Sequence, residues 1–218
     1  MESRRIEAGS WTIVDTDTHP EGRPVTEYDV APLGRVQLYW IPLGAGAHVV
    51  RLSGKIFEAL SAGRQRRSPC ALYHSALAVT VSEGRFVIEM TPVVDAGGKA
   101  RGVVAEGAVG AGWAGHLRVF RYEIRCWRGG IIPDESHAQS MVHVHADQAG
   151  ARHLVELVSS VPTPVWGRDE LNAGEMLNSN SVTSWLLSRG GVDMATIGLP
   201  AGGRALDWDT GLVVAARP

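Results

Sequence analysis

The chain has 218 residues, enough for one domain with an ample core or at most two small ones. Hydrophobic residues make up 44% and charged residues 20%, and the formal net charge is −2; no polyanionic partner is implied, and no basic run interleaved with aromatics points to nucleic acid. No apolar run approaches the roughly 20 residues of a membrane span, and Met1 to Glu7 lacks the apolar centre of a leader peptide, so a soluble, cytoplasmic protein is expected.

Taken in order, Trp11 to Val14 reads as a short strand running into a polar loop. There Asp15, Asp17 and His19 alternate, but no further ligand follows nearby, so the loop reads as a turn before Pro20. Arg35 to Leu43 is the next strand. Val49, Leu52, Ile56, Ala59 and Leu60 recur at helical spacing, which predicts an amphipathic helix over 49–62. Arg64, Arg66 and Arg67 follow, where positive side chains suit a helix C-terminus. Residues 71–81 and 85–91 flank Ser82-Glu83-Gly84 and read as a β-hairpin that brings His74 and Glu89 together near one end. Residues 95–115, rich in Gly and Ala, read as a long loop with a short strand at 102–105; a loop of that length suits a lid or a binding loop. Residues 117–127 alternate as a half-buried strand, and 140–145 as a shorter one. Cys70 and Cys126 form no metal-type spacing and read as buried thiols.

Asp147 is a plausible N-cap for a helix over 148–160, which Pro162 and Pro164 end. After a loop at 165–175, the polar run Asn178-Ser179-Asn180-Ser181 precedes Val182, Trp185 and Leu186 at helical spacing, predicting a capped helix over 181–189 that stops at Gly190-Gly191. Residues from 199 onward form a loop-rich tail carrying Trp208. The elements add up to a single α+β domain over 1–218, with an antiparallel sheet from 35–43, 71–81, 85–91 and 117–127 packed against a few helices.

A helix start offers free N–H donors and the positive end of the helix dipole, so a nucleophile or oxyanion at Ser179 would be stabilised there. Acyl transfer also needs a base within hydrogen-bond reach and a group to orient it, and His74 with Glu89 is the candidate pair. A second constellation is His143-Val144-His145-Ala146-Asp147, whose histidines share one face of a strand and could hold a metal; the bland reading is a strand end with Asp147 capping the next helix. No GxGxxG follows a strand and opens a helix, so no cofactor is expected.

The order of these motifs resembles the circularly permuted papain-like proteins, which include the lecithin–retinol-acyltransferase-like and permuted NlpC/P60 proteins. His74-Ser75-Ala76-Leu77-Ala78-Val79 is similar to their histidine strand, Phe86-Val87-Ile88-Glu89-Met90 to the return strand, and Asn178-Ser179-Asn180-Ser181-Val182 to the nucleophile box. The serine form of that box is also similar to uncharacterised bacterial proteins with an Asn-Ser-Asn-Ser/Thr box. The resemblance covers about 70–190. It implies a hydrolase or acyltransferase acting on an amide, ester or thioester bond of a small-molecule, peptide or lipid substrate. Ser179 would be the nucleophile, His74 the base and Glu89 the orienting acid, with Asn178 orienting the loop or helping to hold the oxyanion. Serine stands where the family has cysteine, and a hydroxyl needs a base at the moment of attack where a thiolate does not. Three readings follow: a serine nucleophile, a catalytically silent binding domain, or a helix cap alone. A metal hydrolase using His143 and His145 is the remaining alternative.

Overall fold

The computed structural model describes residues 34–43, 70–93, 102–132 and 134–218, all within one compact unit, Ala31–Pro218. The strand expected at 11–14, the loop with Asp15, Asp17 and His19, and the helix expected at 49–62 lie outside the described residues.

The fold is α+β. Its sheet comprises β1 (Arg35–Pro42), β2 (Ala71–Val81), β3 (Gly84–Pro92), β4 (Val103–Ala108), β5 (Arg121–Arg128), β6 (Ser140–Val144) and β7 (Gly203–Ala205). The strands lie in the order β4-β5-β3-β2-β1-β6 and pair antiparallel, except that β7 runs parallel to β2. Three α-helices are described: α1 (Gln148–Leu157), α2 (Ser179–Arg189) and α3 (Trp208–Ala215). None of the described helices is long and apolar enough to cross a membrane.

β2 organises the sheet. It pairs with β1 along Tyr73 to Thr80, but its pairing with β3 begins only at Leu77, opposite Ile88. Nearer its start, Ala71 to Tyr73 pair with β7 instead. The two faces of the sheet follow from strand alternation. On one, Tyr73, Leu77, Val79 and Val81 join Leu38, Trp40, Ile88, Tyr122 and Ile124 in the main core, which Leu154 and Val158 close from above with Val182, Trp185, Leu186 and Leu187 of α2. On the other, Tyr39, Ile41, Ala76, Ala78, Val87 and Ile132 form a smaller apolar cluster.

Three expected elements differ. The strand expected at 117–127 begins only at Arg121, because its partner β3 ends at Pro92, opposite Tyr122; residues 112–120 instead form two successive 3-10 turns. Part of the expected 95–115 loop is β4, which extends to Ala108 along β5. The loop-rich tail holds β7 and α3. Helix α3 lies so close to α2 that a Cβ at Gly211 would sit 2.1 Å from both the Ser181 carbonyl oxygen and the Ser184 hydroxyl. Trp208 packs on Trp40 with ring centroids 5.0 Å apart, joining the tail to the core.

Candidate functional site

The start of α2 forms a reciprocal capping box. Asn178, with extended backbone, accepts on Oδ1 from the N–H groups of Asn180 (2.8 Å) and Ser181 (3.3 Å), while its own N–H donates to Ser181 Oγ at 2.9 Å. The polar side chains continue into the surrounding fold. Asn180 Nδ2 donates to the carbonyls of Tyr73 (3.0 Å) and Leu206 (2.9 Å), and Ser184 Oγ donates to the Trp208 carbonyl at 2.6 Å. The box thus docks beside the part of β2 that β3 does not reach and ties it to the chain entering α3. Ser179 is half-buried at the first helical position; its carbonyl accepts from Ser75 Oγ at 3.4 Å, and among the described residues none is hydrogen-bonded to its hydroxyl.

Asn178 also reaches a residue that pattern reading passes over. Its Nδ2 donates to Asp207 Oδ2 at 2.5 Å and to the Leu206 carbonyl at 3.3 Å. Asp207 stands at the start of α3 in the left-handed region, φ 61°, which a non-glycine residue adopts at a cost. Burial, then the hydrogen bond and negative charge of Glu175, push its carboxyl up to about 8, against the opposing effect of the Asn178 amide. Asp207 and Glu175 thus form a carboxyl pair beside the box. Their one sequence signal is Asp207 just before the apolar run of α3; the pairing with Glu175 is tertiary.

The other two predicted residues lie elsewhere. Ser75 points toward α2, so His74, its neighbour in an extended strand, projects from the opposite face of the sheet. His74 therefore does not meet Ser179, and the Ser179-His74-Glu89 triad is not assembled. The physical reason is parity: one residue along β2 exchanges one face for the other. Burial holds the His74 imidazole below its ordinary range, with the Asp134 carboxylate acting in the opposite direction. Glu89 does face the same side as His74, but its partner is Arg125, whose Nη1 lies 2.9 Å from Glu89 Oε1. Arg125 is also paired with Glu123, through both Nε and Nη2. Burial raises the Glu89 carboxyl, offset in part by the Arg125 guanidinium. Its side chain is 10% exposed, that of Arg125 6% and that of Glu123 1%, so the three form a buried charge cluster.

His143 and His145 lie exposed along and just beyond the sheet-edge strand β6, and among the described residues no group of three or more His, Cys, Asp or Glu is placed to hold a metal ion. Asp147 does what the bland reading expects, accepting from the Gly150 N–H at 2.7 Å to cap α1. Cys126 is half-buried on β5, and burial pushes its thiol up to about 11, away from any nucleophilic role near neutral pH. A cleft of about 380 Å³ beside β4 is lined by Glu106, Ala108, His116 and Arg121 among others, and by none of the four predicted residues.

Comparison with protein families, with curated proteins and with solved structures gave no match.

Proposed function

We propose that this chain is a catalytically silent domain of the permuted papain-like type that binds a small molecule, a peptide or a lipid instead of cleaving one. The observation that carries this reading is the Ser75 hydroxyl on the Ser179 carbonyl, which leaves His74 on the far face of β2. Two further facts support it. Asn178, Asn180 and Ser181 are all engaged in holding the helix start and docking it onto β2 and the chain before α3. Glu89 is engaged with Arg125. The family assignment rests on the motifs at His74 to Val79 and Asn178 to Val182. A fluorophosphonate probe tests the reading: wild type is expected to stay unlabelled. Labelling that disappears in Ser179→Ala would overturn it.

One observation favours a second reading, in which Ser179 is a working nucleophile with a different base. Asp207 is a carboxyl held near neutral in its proton affinity, and Asn178, next to Ser179 in the chain, donates to it. Such tuning and backbone strain suit a general base. On that reading labelling occurs, is lost in Asp207→Asn and survives in His74→Gln.

A further inference from the structure

The two 3-10 turns from Gly112 to Phe120 turn their apolar side chains outward. Trp113 is 76% exposed, Val119 77%, Leu117 57% and Phe120 43%. The backbone beneath them is closely tied. Ala114 N–H donates to the Ala111 carbonyl, Leu117 to Ala114, Phe120 to Leu117, and Val109 to Phe120, while Arg121 Nε donates to the Gly115 carbonyl. Ala114 is buried beneath the strap. The outward apolar side chains are therefore presented by an ordered backbone.

Within the strap itself the only titratable side chains are basic, and the flanking Glu106 is taken up by Arg121. No acidic residue occurs from Gly107 to Tyr122, whereas His116, Arg118 and Arg121 do. Arg121 is turned back to Glu106 at 3.1 Å, but His116 and Arg118 are exposed and form no ion pair among the described residues. A standard protein interface draws on about 20–30 residues a side around a polar rim. The strap instead concentrates its apolar side chains in one short segment with basic neighbours. Tryptophan favours the boundary between headgroups and acyl chains, and basic side chains beside inserted apolar ones gain from anionic lipid.

We propose that the 112–120 strap docks onto an anionic lipid surface, with Trp113, Leu117, Val119 and Phe120 entering the interface and Arg118 and His116 meeting the headgroups. This names a surface and a partner beyond the binding reading above and does not depend on it: probe labelling reports on Ser179 and leaves the strap untouched. The experiment is co-sedimentation of the full chain with vesicles of phosphatidylcholine alone or mixed with phosphatidylglycerol. Wild type is expected to sediment with the mixed vesicles and far less with the neutral ones, with salt weakening the association. The double variant Trp113→Ser/Val119→Ser should bind about tenfold more weakly or worse, and Arg118→Glu should lose the preference for anionic lipid. Both variants change exposed side chains, so their unfolding midpoints should match wild type. Wild type that ignores anionic vesicles, or a double variant that binds them as well as wild type, overturns the proposal. So does self-association that the double variant abolishes in a chain that binds no vesicles, since the strap would then be a protein interface.

Discussion

The two faces of the sheet solve the problem of buried polarity in different ways. On the α2 face the polar groups of the box are neutral amides and hydroxyls, bonded to backbone donors and carbonyls within the box and across to β2 and α3, with Asn180 Oδ1 left without a partner among the described residues. On the opposite face the buried groups are ions, and Arg125 holds two carboxylates, Glu89 and Glu123, in a nearly closed environment. A neutral, distributed network loses one modest bond when one member is removed. A compact ionic cluster loses its compensation and leaves charge behind. The two faces should therefore differ sharply in their sensitivity to single substitutions.

The largest effect is expected at Arg125. Arg125→Leu removes the guanidinium that pairs with both Glu89 and Glu123, and should cost about 3–5 kcal/mol in chemical unfolding. Glu89→Gln keeps Glu123 to balance Arg125 and should cost clearly less. Equal losses in the two variants would show that the cluster does not act as a unit. On the other face, Asn178→Ala removes the cap and the link to Asp207 together and should cost about 1–2 kcal/mol. If Asn178→Ala proves as damaging as Arg125→Leu, the contrast between the faces fails.

Much of this architecture is legible in the residues. The hairpin of β2 and β3 announces itself through β-prone runs around Ser82-Glu83-Gly84, and the start of α2 through Asn178 and Ser181, both of them local signals. The face on which His74 lies is not local. β2 is apolar on both sides, with Ala76, Leu77, Ala78 and Val79 all buried, so its alternation is too weak to fix which residues face the helix. A shift of one residue decides whether His74 or Ser75 meets Ser179. The strand expected at 117–127 misleads for a related reason: Leu117 and Val119 alternate correctly but project into solvent, so the pattern is real and its burial is not. Asp207 with Glu175 is a contact between distant parts of the chain and leaves no spacing to read.

The smallest and most discriminating prediction is the response to pH, because the two faces should answer with opposite signs. Asp207 is pushed up to about 8 in the folded chain, against an ordinary carboxyl value of 3.8. Between those values the folded state holds a proton that the unfolded state has released, so stability falls as pH rises through that window. Asp207→Asn should flatten that fall. His74 is shifted the other way, below its ordinary 6.5. Around and below 6.5 the unfolded chain holds a proton that the buried imidazole refuses, so stability rises with pH through that range and the His74 contribution levels off within about a pH unit above 6.5. His74→Gln should remove that rise and leave the Asp207 slope intact. Unfolding midpoints from pH 5 to pH 8 in wild type and both variants separate the two contributions. If His74→Gln changes the slope at pH 8, where the unfolded imidazole is already neutral, then His74 is linked to the Asp207 side, and the separation of the two faces on which the non-catalytic reading depends is lost.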